Sequence, residues 1–207
     1  MVSPAEGAVV EQTMAAPSTA TARPVANLNA RISAYLVDSV ILLAFILVFF
    51  VIGGSILLFT SDMGRGDAPD WAYYACVSVF LGGCLLFWTA FNLALLRLRS
   101  QTTGMYVVGI RIIGEDGTPL DRRRTLLRWF GLHPLLFHPL LFPVWGIFSL
   151  LVVSLTLSQI VLVVTLALLL LCIASPLASL VALLMDPERR ALHDRLAGTL
   201  VVHLDRP

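Results

Sequence analysis

Residues of a kind that could do chemistry are few, and they gather at three places along the chain. The first is Arg31, Ala34 and Asp38, at positions 0, 3 and 7 of one helical face. Asp38 would lie about 10 Å along a helix from Arg31, and no charge follows it until Asp62. A carboxylate there could neutralise an arginine from another segment and fix how helices assemble, or it could bind or relay a cation or proton. The second place is Arg189, Arg190, His193, Asp194 and Arg195, where the spacing lets Arg190 pair with Asp194. His193 beside Asp194 invites a metal or acid–base reading, but no further His, Cys or Glu joins them, which favours a structural one. The third is the run Arg122, Arg123, Arg124 and Arg128. It adjoins an apolar block and lacks the aromatic platform of single-strand binders, so it reads as a contact to anionic lipid headgroups and not to nucleic acid.

Other candidates are weaker. Gly104 and Gly109 have the spacing of a phosphate-binding loop, yet Ile110 and Arg111 follow where Lys and Ser/Thr belong. Cys76, Cys84 and Cys172 all fall inside apolar blocks, without metal-ligand spacing, and read as small buried hydrophobes. No nucleophile, base and orienting group converge. The expectation is therefore no enzyme, no metal and no cofactor.

The elements that must position these groups are membrane helices. The 207-residue chain is 58% hydrophobic and only 13% charged, with mean hydropathy +0.88. Soluble domains carry about 25% charged residues. All 14 basic residues are arginine. Residues 1–29, rich in Ala, Pro, Thr and Ser, read as a disordered tail and lack the pattern of a cleaved signal peptide. Apolar blocks then predict spans at about 32–60, 71–96, 132–153 and 158–184, with SLTLSQ (154–159) as a tight connection. Pro134, Pro139 and Pro143 would disturb the third. The interlude 97–128 holds a short strand, a Glu-Asp-Gly turn and a second short strand, then the basic helix RRRTLLRWF. In the tail 186–207, Asp186 and Pro187 would start a helix that Gly198 ends, and TLVVHL would pair with IRII.

The fold class expected is thus an all-α membrane protein of four transmembrane helices, with a minor cytoplasmic β-hairpin or three-stranded sheet. Four spans put the interlude and both termini on one side, with every arginine except Arg65, so that side should be cytoplasmic. On that side Arg31, Asp38, Arg111, Asp194 and Arg195 are expected to form a charge network that clamps the soluble segments to the span ends.

Three pieces together resemble the RDD family of membrane proteins: Arg31…Asp38, the segment Gln101-Thr102-x-Gly104…Gly109-x-Arg111, and Arg189-Arg190-x-x-His193-Asp194-x-x-x-Gly198-Thr199. By position Arg31 and Asp38 match the arginine and first aspartate of the family's name, and Asp194 the second. The chain departs from the pattern at Met105, where the family often has Lys. The resemblance implies a small polytopic protein of the bacterial inner membrane without an accepted enzymatic activity, and a transport-related role is sometimes suggested for such proteins. Two functions therefore stand as expectations. One is a structural or accessory subunit that packs against other membrane subunits or a second copy within the lipid bilayer; the other moves an ion or small solute with Asp38 as its site.

Overall fold

A computed structural model describes residues 24–156 and 159–204. The expected disorder of residues 1–23 lies outside that range. Residues 24–29 are ordered: Ala26 donates its N–H to Val201 O at 2.8 Å, and Val25 bridges Val202. The Asn27 side chain accepts from Ala30 N and so caps the first helix.

Helix α1, Leu28–Thr60, has 33 residues and rises about 50 Å. Its apolar side chains surround the whole rod, as in a helix bathed in lipid. Helices α2 (Asp70–Ser78) and α3 (Trp88–Arg99) are joined without a break by a π-helical stretch, Val79–Phe87. Together they form one apolar rod, Asp70–Arg99, which returns alongside α1. A Cβ on Gly83 would fall 2.3 Å from the Phe49 ring, so the bare glycine lets that ring lie against the rod's backbone. Below it Phe45 and Trp88 meet edge to face with ring centroids 5.6 Å apart.

Between the spans and the chain's end lie the short elements α4 (Thr103–Val108), β1 (Ile110–Gly114), α5 (Arg122–Phe130), α8 (Leu192–Ala197) and β2 (Thr199–His203). They form a polar cap over one end of the long helices. Strand β1 pairs antiparallel with β2, Ile110 opposite His203 and Gly114 opposite Thr199. The pairing of IRII with TLVVH is thus as expected, but the local hairpin is not: after the Glu115–Gly117 turn, residues 118–121 run without strand pairing. The sheet has two strands, with Val25 adding a single bridge and not a third strand. The helix predicted from Asp186 starts later, at Leu192, because Asp186 instead accepts the Glu188 N–H in a turn. Gly198 ends it in the left-handed region, as expected.

Among the described residues three helices are long and apolar enough to cross a membrane: Leu28–Thr60, Asp70–Arg99 and Gln159–Met185, the last being α7. The expected span 132–153 is not one helix. Residues 131–138 are irregular, Pro139–Leu141 make a 3₁₀ turn, and α6 runs from Phe142 to Thr156. Fifteen residues rise about 22 Å, short of the roughly 30 Å hydrocarbon core. The prolines are the cause, since each forbids a helical hydrogen bond. Leu135, Leu136 and Phe137 of the irregular stretch are buried. Its backbone is tied down by Trp88 Nε1 donating to Leu135 O (2.9 Å) and Ser175 Oγ donating to Leu132 O (2.7 Å). Of the expected SLTLSQ connection, Ser154–Thr156 belong instead to α6 and Gln159 to α7, and 157–158 lie outside the described residues.

Candidate functional site

Asp38 sits seven residues below Arg31 on α1 and is 3% exposed. One of its oxygens accepts from Thr102 Oγ1 at 2.6 Å and the other from the Gly104 backbone N–H at 2.7 Å. Thr102 is the N-cap of α4, its hydroxyl also accepting from Met105 N. The carboxylate is therefore held by a hydroxyl and a backbone amide at a helix start, where the dipole favours negative charge. Gly104 makes this possible. A Cβ there would lie 2.0 Å from Ala34 O and 2.9 Å from Asp38 Cγ, so only glycine lets α4 approach α1 this closely. Gln101, the motif's other polar residue, donates to Ile110 O at 2.8 Å and ties the end of α3 to β1.

Nearer the cap lies a clamp around Asp194, whose carboxylate is fully buried. One oxygen accepts from Arg31 Nη1 at 2.6 Å and from Ala191 N at 3.0 Å. The other accepts from Arg128 Nη1, which also donates to Thr199 Oγ1 at 2.9 Å. One carboxylate thus fastens α1, α5, α8 and β2 together. Burial alone would raise its pKa, but the guanidinium groups of Arg128 and Arg31 outweigh that and hold it well below the usual carboxylate range. His193 packs on His133 with ring centroids 4.4 Å apart. Burial pushes His193 down to about 3, so it is neutral at pH 7.

The expected five-residue network is therefore not one network. Arg31 and Asp194 belong to the clamp. Asp38 makes no ion pair among the described residues, its donors being Thr102 Oγ1 and the Gly104 N–H at the start of α4. Arg111 on β1 makes no ion pair there either. Arg195 joins a separate group, donating to Asp186 Oδ2 at 3.0 Å. Arg190 pairs with Asp186 (3.0 Å) and Glu115 (2.6 Å) instead of Asp194, which is turned inward.

The lipid-headgroup set is likewise divided. Arg122 and Arg123 are exposed on α5. Arg124 makes a fork-like pair with Asp116, at 3.0 and 2.9 Å. Arg128 is 0% exposed, so it is no headgroup contact but the second cation of the clamp. The sequence signal that marks it is spacing: Thr125, Arg128 and Trp129 share one helical face, and all three are buried.

Beside the clamp is a cavity of about 360 Å³. Helix α1 lines it from Arg31 to Asp38, α7 from Leu183 to Pro176, and His133 and His193 close the end toward the cap. Both helical walls descend about 10 Å from the cap. Among the described residues no group of three or more metal-ligating side chains occurs.

A sequence model of the RDD family matches residues 25–198, which takes in Arg31, Arg128 and Asp194 of the clamp, the Asp38 anchor and the cavity. The chain belongs to the RDD family. It is a small membrane protein with several apolar helices, as the family's members are. Comparison with curated proteins and with solved structures finds no match. In this RDD protein Arg31, Asp38 and Asp194 have two jobs. Arg31 and Asp194 bond each other directly, and Asp38 holds α4 against α1.

Proposed function

We propose that this RDD protein is a structural or accessory subunit of the bacterial cytoplasmic membrane, packing against other membrane subunits or a second copy and carrying out no catalysis. One observation carries the reading: the only carboxylate within the apolar length of α1, Asp38, has both oxygens committed to the start of α4. Such a group is a fastening, and an ion would have to break two bonds to use it. Positions open to a partner support the same reading. A Cβ on Gly54 or Gly82 would meet nothing within 4 Å, so both glycines lie where another helix can come close.

The chain path supports a cytoplasmic cap. Helix α7 rises about 40 Å and ends at the cap, so Gln159 starts on the far side. The chain from α5 to α7 must then cross, by way of residues 131–141 and α6. Both described ends fall on the arginine-rich side, which stays cytoplasmic by the positive-inside rule. Single cysteines at Arg123 and Gly66, in a background without the native three, should react with an impermeant maleimide from opposite faces of the membrane. Reaction of both from the outside would overturn the orientation.

A second reading, movement of an ion or small solute through Asp38, rests on that residue lining the cavity. Asp38→Asn separates the two. The accessory reading expects weaker assembly, seen by cross-linking in native membranes, and no change in proton or sodium flux across reconstituted vesicles. Flux abolished with assembly intact would overturn it.

A further inference from the structure

Three residues that line the cavity beside the clamp carry buried donors that nothing among the described residues answers. Arg31 Nε and Nη2, Arg128 Nε and Nη2, and His133 Nε2 are buried and have no hydrogen-bond partner among the described residues. His133 Nδ1 accepts from Leu135 N, so its proton is on Nε2, which is a donor too. Leaving such groups buried and unanswered is costly, most of all for a guanidinium. Charge tells the same story. Arg31 and Arg128 bring two positive charges to the single negative charge of Asp194, and His193 is neutral.

The remaining walls are apolar and lead outward. Pro176, Leu177 and Leu180 of α7 face Ile32 and Tyr35 of α1. Ile32, Leu177 and Leu180 are 42%, 59% and 39% exposed, which puts the mouth of the cavity on the lipid-facing side of the bundle. The donors are at the cap end, where headgroups lie, and the apolar walls run down from them. At the deep end Asp38 repels negative charge, so an anion has one place to sit.

We infer that the cavity between α1 and α7 binds one anionic amphiphile, a phosphate or carboxylate head on an acyl chain, with the head at Arg31, Arg128 and His133 and the chain running between Ile32 and Leu177. Its volume suits a headgroup with the upper part of a chain, being within the roughly 300–1,000 Å³ of ligand sites. The guanidinium groups form charge-assisted hydrogen bonds to the head while keeping their bonds to Asp194. The site takes up a lipid from the side, without a water-filled path across the membrane.

The full chain, placed in nanodiscs of phosphatidylcholine with and without phosphatidylglycerol, is released and weighed by native mass spectrometry. The expected result is one phosphatidylglycerol retained per chain, favoured over phosphatidylcholine by about tenfold, or about 1.4 kcal/mol. Displacement of that lipid by palmitate assigns the site to either anionic head; resistance to palmitate assigns it to phosphate. Ser179→Phe narrows the cavity without touching the arginines or Asp194, and should cut retention about tenfold while the unfolding midpoint in lipid-free detergent stays put. If that variant does not accumulate, Leu177→Trp at the mouth serves the same purpose. Equal retention of both lipids overturns the inference. So does displacement of the lipid by inorganic phosphate alone, or retention that survives the cavity-narrowing substitution.

Discussion

Asp194→Asn removes the charge from the clamp and keeps its shape. The Asp194 carboxylate accepts from Arg31, Arg128 and Ala191 and is fully buried, while the Arg128 side chain has no exposure and that of Arg31 only 10%. An asparagine can accept at one atom only, and its amide would point two further protons at guanidinium donors. Breaking a buried ion pair from one side costs about 3–5 kcal/mol, because the surviving charge is left uncompensated. Here two such charges survive, so the upper end of that range is expected. Unfolding by SDS in mixed micelles, followed by tryptophan fluorescence, measures it: Trp129 is fully buried and next in sequence to Arg128. The paired change Asp194→Leu with Arg128→Met should recover at least about 2 kcal/mol of the loss, since apolar groups of similar volume replace buried ions without penalty. Arg31, in the first turn of α1, can then turn toward water. A cost for Asp194→Asn below about 0.5 kcal/mol, the range of ordinary surface changes, would refute the clamp. So would a double substitution worse than the single one.

Other outcomes follow from the same geometry. Gly104→Ala should destabilise by about 3 kcal/mol or more, since its Cβ meets the fixed Ala34 carbonyl and pushes the amide off Asp38; the same SDS titration reads it, and a cost under about 1 kcal/mol would show that α4 is free to shift. The folded state should lose stability as pH falls. His193 accepts a proton near 6.5 in the unfolded chain and only near 3 in the folded one, so the unfolded chain binds it first. The loss approaches about 1.4 kcal/mol per pH unit below 6.5, or about 2 kcal/mol by pH 5, and His193→Gln should reduce the slope. Stability that is flat between pH 7 and 5 would contradict the burial of that ring. Gly83→Leu should disturb the contact with α1, read as a shift in the fluorescence of Trp88, which packs on Phe45 beside Phe49; an unchanged spectrum and midpoint would mean the rod can move aside.

The parts legible in the sequence are those encoded by long uniform stretches or by local grammar. Lipid contact shows in unbroken apolar runs, which is why α1, the 70–99 rod and α7 match expectation. Gly198 marks a helix end by chemistry that works within a few residues. What failed depends on distant partners. The donors that hold Asp38 are a backbone amide and a capping hydroxyl more than 60 residues away, and backbone amides carry no signature in a sequence. Arg128 is hidden by its company, for two exposed arginines and a third paired at the surface with Asp116 precede it in the same helix. The 132–153 block differs, for its composition is that of a span and the prolines that break it, Pro134 and Pro139, are plain in the sequence.

The cap draws on the start, middle and end of the chain, and Arg31 meets Asp194 across 163 residues. During synthesis the membrane helices are therefore all in place before their charged ends can be satisfied. Until Asp194 emerges, the Arg31 and Arg128 side chains lack the carboxylate on which they close. A chain cut short before Asp194 would keep its three long apolar helices and lack the carboxylate that Arg31 and Arg128 share. Asp194 is in this sense a latch that closes only after the helices before it have been made.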